Sequence, residues 1–257
     1  MTKQTVLVTG ASSGIGMELA KAFAYHGHPV VLLARNTQKL EQLAQELRSN
    51  AKARAEILTT DLSQPNAPAQ IAEELCGRNL VIDILVNNAG FGQQGLYAAL
   101  DLQKQLEMIQ VNITALAHLT GLFLPGMIQR NTGGVLNVAS TAAFQAGPHM
   151  AMYYATKAFV LSFTEALHNE VAGTDLRVTC LCPGPTHTGF FAAAKMKGTN
   201  LLKFGAQSAD VVAQAGYAAF QGNQAIAIPG FKNKLGAFAA QLAPRSLARK
   251  IAMALNR

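Results

Sequence analysis

The stretch that decides the fold of this chain lies near its start and reads Val6-Leu7-Val8-Thr9-Gly10-Ala11-Ser12-Ser13-Gly14-Ile15-Gly16. Three consecutive apolar residues indicate a buried strand, and the glycine-rich turn after them opens a segment with helical spacing. Glycine lets the backbone turn sharply and lets a phosphate approach it, while the first turn of a helix offers unpaired N–H groups. The stretch therefore predicts a phosphate-binding turn, with a glycine turn that only packs helix on strand as the alternative.

The same alternation of apolar strand and helix continues through most of the chain. Buried strands are predicted at 6–8, 30–33, 55–58, 82–86, 135–138 and 178–181, and helices at 14–24, 37–48 and 67–75. With a short strand at 225–228, these units predict a Rossmann-type, doubly wound α/β sheet of about seven strands, mostly or wholly parallel. We expect one domain over residues 1–257, with a core over 1–190. Residues 191–257 then supply a substrate loop, the last strand and a C-terminal helical tail.

Composition limits the other classes of protein. Half of the 257 residues are apolar, which is enough for a sizeable core. The cysteines Cys76, Cys180 and Cys182 have neither the spacing of a zinc site nor that of a disulfide framework, so we expect small core residues and no metal. We find no run of about 18 apolar residues and no signal-peptide pattern, which predicts a cytoplasmic protein.

The net charge of +7 is concentrated in the tail. Residues 195–257 hold nine of the 21 basic residues but, of the 14 acidic ones, Asp210 alone. Basic and apolar residues alternate over 231–235 and 247–251, which fits an amphipathic helix. Its charged face either lies in solvent or contacts an anionic membrane. No nucleic-acid partner is expected, because no recognition motif accompanies the charge.

Tyr153 and Lys157 are four residues apart in a predicted helix, so their side chains point the same way. A phenol has an ordinary pKa of about 10. An ammonium beside it favours the phenolate, so we expect a lowered pKa and proton transfer by Tyr153. An exposed surface pair is the alternative.

The end of the second strand indicates which dinucleotide would bind. It reads Leu33-Ala34-Arg35-Asn36, without the carboxylate that would accept hydrogen bonds from the ribose 2′-hydroxyl of NAD. Arg35 can offer a planar fork to a 2′-phosphate, which predicts NADP(H), although a solvated loop cation is the alternative. After the third strand, we expect Asp61 and Leu62 to lie near the adenine. The alternative is that Asp61 only helps to start the following helix.

Together these motifs resemble the short-chain dehydrogenase/reductase family over residues 5 to 190. The matches are the glycine turn at Gly10, Gly14 and Gly16, the run Asn87-Asn88-Ala89-Gly90, the separate residues Asn112 and Ser140, the pair Tyr153 and Lys157, and Pro183-Gly184 with Thr188. The resemblance implies an enzyme that interconverts a carbonyl and an alcohol, and a homodimer or homotetramer built from the helices after strands four and five.

The resemblance also implies roles for individual residues. Ser140 orients the carbonyl, Tyr153 gives up its proton, Lys157 bonds the nicotinamide ribose, and Asn112 holds a water that links Lys157 to solvent. The implied NADP(H) contacts are Gly10, Ser12, Ser13, Gly14, Ile15, Gly16, Arg35, Asp61, Leu62, Asn88, Ala89, Gly90, Tyr153, Lys157, Pro183, Gly184 and Thr188. The neighbour Tyr154 should face away from the site and pack.

The apolar loop over 144–152, which contains His149, suggests with Phe91, Phe190 and Phe191 a pocket for a hydrophobic carbonyl or alcohol, with core packing as the alternative. Specificity should depend on residues 189–206. Three other functions stay open: a 3-oxoacyl thioester reductase, a membrane-associated lipid or steroid reductase, and an NADP-binding regulatory protein without turnover.

Overall fold

The computed structural model describes residues 3–190, 194 and 205–256. Its main sheet contains the strands β1 (Val6–Thr9), β2 (Val30–Ala34), β3 (Ala55–Thr59), β4 (Ile84–Asn87), β5 (Gly134–Val138), β6 (Arg177–Leu181) and β9 (Ile226–Ala227). These seven strands lie in the order β3-β2-β1-β4-β5-β6-β9, and every neighbouring pair is parallel. The predicted doubly wound sheet is confirmed. A small parallel ribbon of β7 (Thr186–His187) and β8 (Gln207–Ser208) was not predicted.

Helices lie on both faces of the sheet. They are α1 (Gly14–Tyr25), α2 (Thr37–Asn50), α3 (Ala67–Gly77), α4 (Leu102–Ile109), α5 (Leu116–Arg130), α6 (Ala151–Glu170), α7 (Ala209–Gln221), α8 (Phe231–Leu242) and α9 (Arg245–Leu255). A π-helical turn, Gln110–Ala115, joins α4 to α5, and 3-10 turns lie at Tyr97–Ala99 and Thr141–Phe144. The predicted helices and strands thus begin and end within a few residues of the observed ones.

Burial on both faces explains why the strands read as unbroken apolar runs. In β1, Val6 and Val8 pack with α1 and α7 residues such as Phe23 and Phe220. Leu7, between them, points to the other face and packs in the cluster that contains Leu119 of α5. Since both faces exclude water, both sets of alternating positions favour apolar side chains.

The strand order places the functional site. Chain order reverses on either side of β1, which has β2 on one side and β4 on the other. The loops that leave β1 and β4 therefore diverge and open a crevice at the carboxyl ends of the strands, where such sheets bind ligands.

One expectation from composition was wrong. Cys76 is exposed near the end of α3, although Cys180 and Cys182 are buried as expected. The continuous helical stretch Leu102–Arg130 is, by length and composition, apolar enough to cross a membrane. Its Leu119 and Met127 are fully buried in the core, whereas only 39% of its most apolar window is buried.

Candidate active site

The glycine turn after β1 is built so tightly that side chains are excluded. Gly10 and Gly14 have φ angles of +68° and +56°, which favour glycine. A Cβ on Gly16 would lie 2.2 Å from the Asn88 side-chain nitrogen and 2.4 Å from the Gly10 carbonyl oxygen. Ser13, the N-cap of α1, makes no side-chain capping bond within the described part of the chain. The first N–H groups of α1 therefore remain available to an anion.

Thr9 ties the ends of β1 and β4 together. Its hydroxyl donates to the Val86 carbonyl at 3.3 Å and accepts from the backbone N–H groups of Asn88 and Ala89, each at 3.0 Å. In return, the Asn88 amide donates to the Thr9 carbonyl at 2.9 Å. Sequence reasoning missed Thr9, and its position directly before Gly10 was the only available signal.

Arg35 and Asp61 lie together at the ends of β2 and β3. Arg35 Nη1 is 3.8 Å from Asp61 Oδ2, and the arginine side chain is 76% exposed, so this ion pair holds it weakly. Asp61 also accepts a hydrogen bond from the Ser63 N–H at 3.0 Å in the loop after β3, whereas the helix-entry role considered for it falls to Asn66, the N-cap of α3. The side chain of Leu62 is buried in the core.

Ser140 and Tyr153 meet beyond the end of β5. Ser140 follows that strand, and its Oγ accepts from the Ala142 N–H at 3.1 Å and donates to the Pro183 carbonyl at 3.4 Å. The Tyr153 side chain, in the first turn of α6, also hydrogen-bonds Ser140. Two hydroxyl groups therefore converge on one point of the crevice.

Lys157 lies one turn further along α6 and is almost fully buried. Its Nζ donates to the Val138 carbonyl at 2.8 Å and is 5.9 Å from the centre of the Tyr153 ring. Burial lowers the pKa of Lys157 from 10.5 to about 8, with a smaller opposing effect of Cys180 and Cys182.

The pKa of Tyr153 departs from its usual value in the direction opposite to our expectation. Burial raises it from 10.0 to about 12, against the lowering effect of the Ser140 hydrogen bond. Nearby Tyr154 also raises it slightly. The proximity of Lys157 does not outweigh desolvation, so the chain's own groups hold the phenol protonated.

Asn112 lies in the π-helical turn and is buried beside Lys157. Its amide donates to the Phe91 carbonyl and to Thr156 Oγ1, both at 3.0 Å, and its carbonyl oxygen accepts from the Phe91 N–H at 3.1 Å. A Cβ on Gly90 would lie 3.0 Å from Asn112 Oδ1 and 3.5 Å from Lys157 Nζ. Thr156, which the sequence did not indicate, donates to the Tyr153 carbonyl at 2.8 Å and thus connects Asn112 to α6.

The turn after β6 closes the crevice on the side of the glycine turn. A Cβ on Gly14 would lie 3.0 Å from Cγ2 of Thr188, so Thr188 borders the glycine turn. A Cβ on Gly184 would lie 2.3 Å from Oδ1 of Asn233, which comes from α8. The predicted Pro183-Gly184 turn is therefore held between the crevice and the C-terminal tail.

Apolar side chains form the rim of the crevice. Phe190 packs on the Tyr153 ring with 5.2 Å between ring centres, and Met150 and Ala194 belong to the same cluster. His149 has a φ of +67°, and its carbonyl accepts from the Gly95 N–H at 2.8 Å. Phe191 and most of residues 189–206 lie outside the described residues.

Tyr154 packs, as predicted, and it has a partner that the sequence did not indicate. Its hydroxyl donates to Asn256 Oδ1 at 3.1 Å, and Asn256 Nδ2 donates to the Pro148 carbonyl at 2.9 Å. Asn256 is fully buried although it lies at the end of the chain. No motif in the sequence marks this contact.

The comparisons with known proteins agree with the geometry. The short chain dehydrogenase family model matches residues 4–197. A putative ketoacyl reductase of Streptomyces coelicolor is 37% identical over 195 residues, which are 75% of this chain and 74% of that protein. The NADP-dependent 3-hydroxy acid dehydrogenase of Salmonella typhi is 36% identical over 197 residues, 75% of this chain and 77% of that protein.

One solved structure adds a bound cofactor to these matches. The short-chain dehydrogenase from Sphingobium yanoikuyae in complex with NADPH superimposes with a TM-score of 0.82 at 33% identity, over 89% of this chain and 88% of that chain. The order and spacing of the motifs, the wholly parallel sheet and these matches lead to one conclusion. The chain belongs to the short-chain dehydrogenase/reductase family and is an oxidoreductase.

Proposed function

We propose that this protein is an NADP-dependent oxidoreductase that interconverts a ketone or aldehyde and an alcohol, on a hydrophobic substrate. The observation that carries the proposal is the convergence of Ser140, Tyr153 and Lys157 beside the phosphate-binding turn. A carbonyl oxygen near the paired hydroxyl groups would accept hydrogen bonds from both. The apolar rim around Phe190 and Met150 supports a hydrophobic substrate.

The crevice fits a dinucleotide. Positive φ angles at Gly10 and Gly14 and the uncapped start of α1 suit a pyrophosphate, and the names of two relatives specify NADP or NADPH. The bound nicotinamide would supply hydride to the substrate carbon. The residues proposed to hold it are the glycine turn, Arg35, Asp61, Leu62, the run Asn88-Ala89-Gly90, Tyr153, Lys157, Pro183, Gly184 and Thr188.

In the reductive direction, Tyr153 would protonate the oxygen that becomes the alcohol. Its pKa of about 12 keeps it protonated at neutral pH, yet lies well below the pKa of the product alcohol, so proton transfer to the developing alkoxide is favourable. Lys157, with a pKa of about 8, remains mostly charged at neutral pH and stabilises the phenolate left behind. Ser140 positions both the substrate oxygen and the phenol.

Asn112 would position the groups that reprotonate Tyr153. Both of its amide hydrogens are already used, by Phe91 and Thr156. The family resemblance implies a water at this position that links Lys157 to solvent. Because the Asn112 amide has no hydrogen left to donate, that water would be held by a carbonyl oxygen instead. Thr156 transmits this constraint to the first turn of α6.

A matched pair of tyrosine variants tests the proposal. NADPH oxidation is screened against ketones, aldehydes, steroids and acyl thioesters, with Tyr153→Phe and Tyr154→Phe beside the unaltered protein. Loss of the proton donor should lower turnover by roughly 10²–10⁴-fold in Tyr153→Phe. NADPH affinity should be largely retained, and Tyr154→Phe should keep most of its turnover. Comparable turnover in Tyr153→Phe and the unaltered protein would refute the mechanism.

The cofactor proposal is tested at Arg35. A charge-assisted contact with the 2′-phosphate predicts that Arg35→Ala weakens NADPH binding by roughly 10-fold to 100-fold. NADH binding should change little, because NADH has no such phosphate. Fluorescence titration with both cofactors measures the two affinities, and an equal loss for both would mean that Arg35 does not read the phosphate.

A 3-oxoacyl thioester reductase is the second candidate, and it is favoured by the names of relatives. Besides the Streptomyces protein, the human very-long-chain 3-oxoacyl-CoA reductase is 33% identical over 194 residues, 74% of this chain and 60% of that protein. In the screen described above, a preference for acyl thioesters over simple ketones would select this candidate.

We also propose a single-domain, cytoplasmic protein that forms a homodimer or homotetramer through the helices that follow β4 and β5, which are α4, α5 and α6. Four large apolar side chains of these helices are 40–59% exposed: Leu102, Leu106, Leu122 and Ile128. Light scattering measures the mass in solution, and a monomer at high protein concentration would contradict the assembly.

A further inference from the structure

The two C-terminal helices present small residues to the body of the protein. In α8 the inward positions are Asn233 and Ala237, and in α9 they are Ala248 and Ala252. Asn256 continues the spacing of four from Ala252. Ala237, Ala248 and Ala252 are each less than 9% exposed. These helices therefore pack closely through alanine, and their large apolar residues have to lie elsewhere.

Hydrogen bonds hold these two helices near the start of α8 and just after the end of α9. Asn233 Nδ2 donates to the Pro229 carbonyl at 2.7 Å and to Gln207 Oε1 at 3.0 Å. At the other end, Asn256 bonds Pro148 and the buried phenol of α6. The orientation of both helices is thus held by buried or partly buried hydrogen bonds, and their outer face is a defined surface.

That outer face is apolar. Its members are Phe231 at 80%, Leu235 at 57%, Phe238 at 59% and Leu242 at 70% exposure in α8, and Leu247 at 49% and Ile251 at 51% in α9. The first four follow steps of four, three and four residues, so they form one stripe along α8. We call these six residues the tail stripe. Several large apolar side chains in one exposed stripe indicate an interaction surface, whereas scattered single ones do not.

The charge around the tail stripe has one sign. Lys232, Lys234, Arg245, Arg249 and Lys250 are all exposed, and residues 231–255 contain no acidic residue. Two copies of this surface facing each other would bring like charges together, which disfavours self-association. An apolar stripe with basic flanks is complementary to a surface that is apolar inside and anionic outside.

We infer that the tail stripe docks this protein on an anionic phospholipid surface, with its apolar side chains at the boundary of headgroups and acyl chains and its basic residues on the lipid phosphates. The inner face of the same helices contacts Pro148, at the rim of the crevice. Docking would therefore hold the crevice near the bilayer, where a lipophilic carbonyl is concentrated. That last consequence depends on the proposed function, whereas the docking itself does not.

Vesicle co-sedimentation tests the inference with the full chain. The vesicles are phosphatidylcholine alone, and phosphatidylcholine with added phosphatidylglycerol. The stripe variant is Phe231→Ser/Leu242→Ser, which changes the two most exposed positions of the stripe. The matched control, Tyr25→Ser/Val81→Ser, removes two other exposed large hydrophobic side chains, at 53% and 57% exposure, far from the tail in sequence.

We expect binding to the anionic vesicles that weakens with salt, and little binding to phosphatidylcholine alone. The stripe variant should lose roughly tenfold or more in its partition coefficient. Removing charge in Arg249→Gln/Lys250→Gln should cost roughly fivefold for each residue. The control variant should bind like the unaltered protein.

Three results would overturn the inference. These are absence of binding to anionic vesicles, equal binding by the stripe variant and the unaltered protein, and a fall in solution mass of the stripe variant in sedimentation velocity. The last would assign the stripe to contact between copies of the chain. NADPH oxidation is measured on the same samples without vesicles, so that a failed membrane test and a failed enzymatic proposal can be distinguished.

Discussion

Replacing Thr9 by valine removes one hydroxyl at nearly constant volume from the point where β1 and β4 are tied together. Thr9 is 1% exposed, and its oxygen is the acceptor for the N–H groups of Asn88 and Ala89. An N–H left without a partner in a buried site costs about 1–3 kcal/mol. Because both residues are only partly buried and water can replace some of the loss, we expect the free energy of unfolding to fall by about 2–4 kcal/mol.

The control lies in the same sheet. Thr179 in β6 is fully buried, and its hydroxyl has no hydrogen-bond partner among the described residues. Thr179→Val removes an unsatisfied polar group, so the free energy of unfolding should be unchanged or rise by about 1 kcal/mol. Urea denaturation measures both variants, and the m-values should remain equal.

The loss at Thr9 should also appear in cofactor binding, because the N–H groups that it orients belong to the turn lining the crevice. We expect weaker NADPH binding by Thr9→Val and unchanged binding by Thr179→Val. If the two variants have the same stability, the Thr9 hydroxyl does not hold the two strand ends together and our reading of the crevice is wrong.

Three further predictions follow from single residues. Gly16→Ala should abolish NADPH binding in a fluorescence titration, because the new Cβ would clash with the Gly10 carbonyl and the Asn88 amide. The control Gly121→Ala should bind NADPH normally, because no described atom lies within 4 Å of its new Cβ. Between about pH 8 and 10, Lys157 has mostly lost its proton in the folded state but still holds it in the unfolded state. The free energy of unfolding should therefore rise by about 2 kcal/mol over this range relative to Lys157→Met. Parallel pH profiles of the two proteins would contradict this. Asn256→Ala leaves the buried Tyr154 phenol and the Pro148 carbonyl unpaired, so calorimetry should show a stability loss of about 1–3 kcal/mol. KM should rise more than kcat falls. An unchanged melting temperature would show that Asn256 does not anchor the end of α9.

Sequence patterns predicted most of the fold because they record local constraints. A strand buried on both faces is mostly apolar, as in Val30–Ala34, and a turn with positive φ favours glycine, as at Gly10 and Gly14. Family motifs further predicted which residues would lie near the crevice, and the structure places Ser140 and Tyr153 in contact there.

The same patterns failed where a property depends on neighbours that are distant in sequence. The pKa of Tyr153 depends on how far the fold removes it from water, and the four-residue spacing to Lys157 carries no information about that burial. Cys76 is no different in type from the two buried cysteines, and only the packing of α3 leaves it exposed.

The amino-acid sequence by itself determined the strand–helix alternation, the glycine turn after β1 and the family, since these follow from periodicity, glycine and short motifs. Only the tertiary structure decided which face of the C-terminal helices is buried. Their pattern is compatible with either face turned inward, and the choice came from Asn233 and Asn256, whose hydrogen bonds reach residues 26 and 108 positions away. A contact over such separations has no local signature, because it depends on how the whole chain packs.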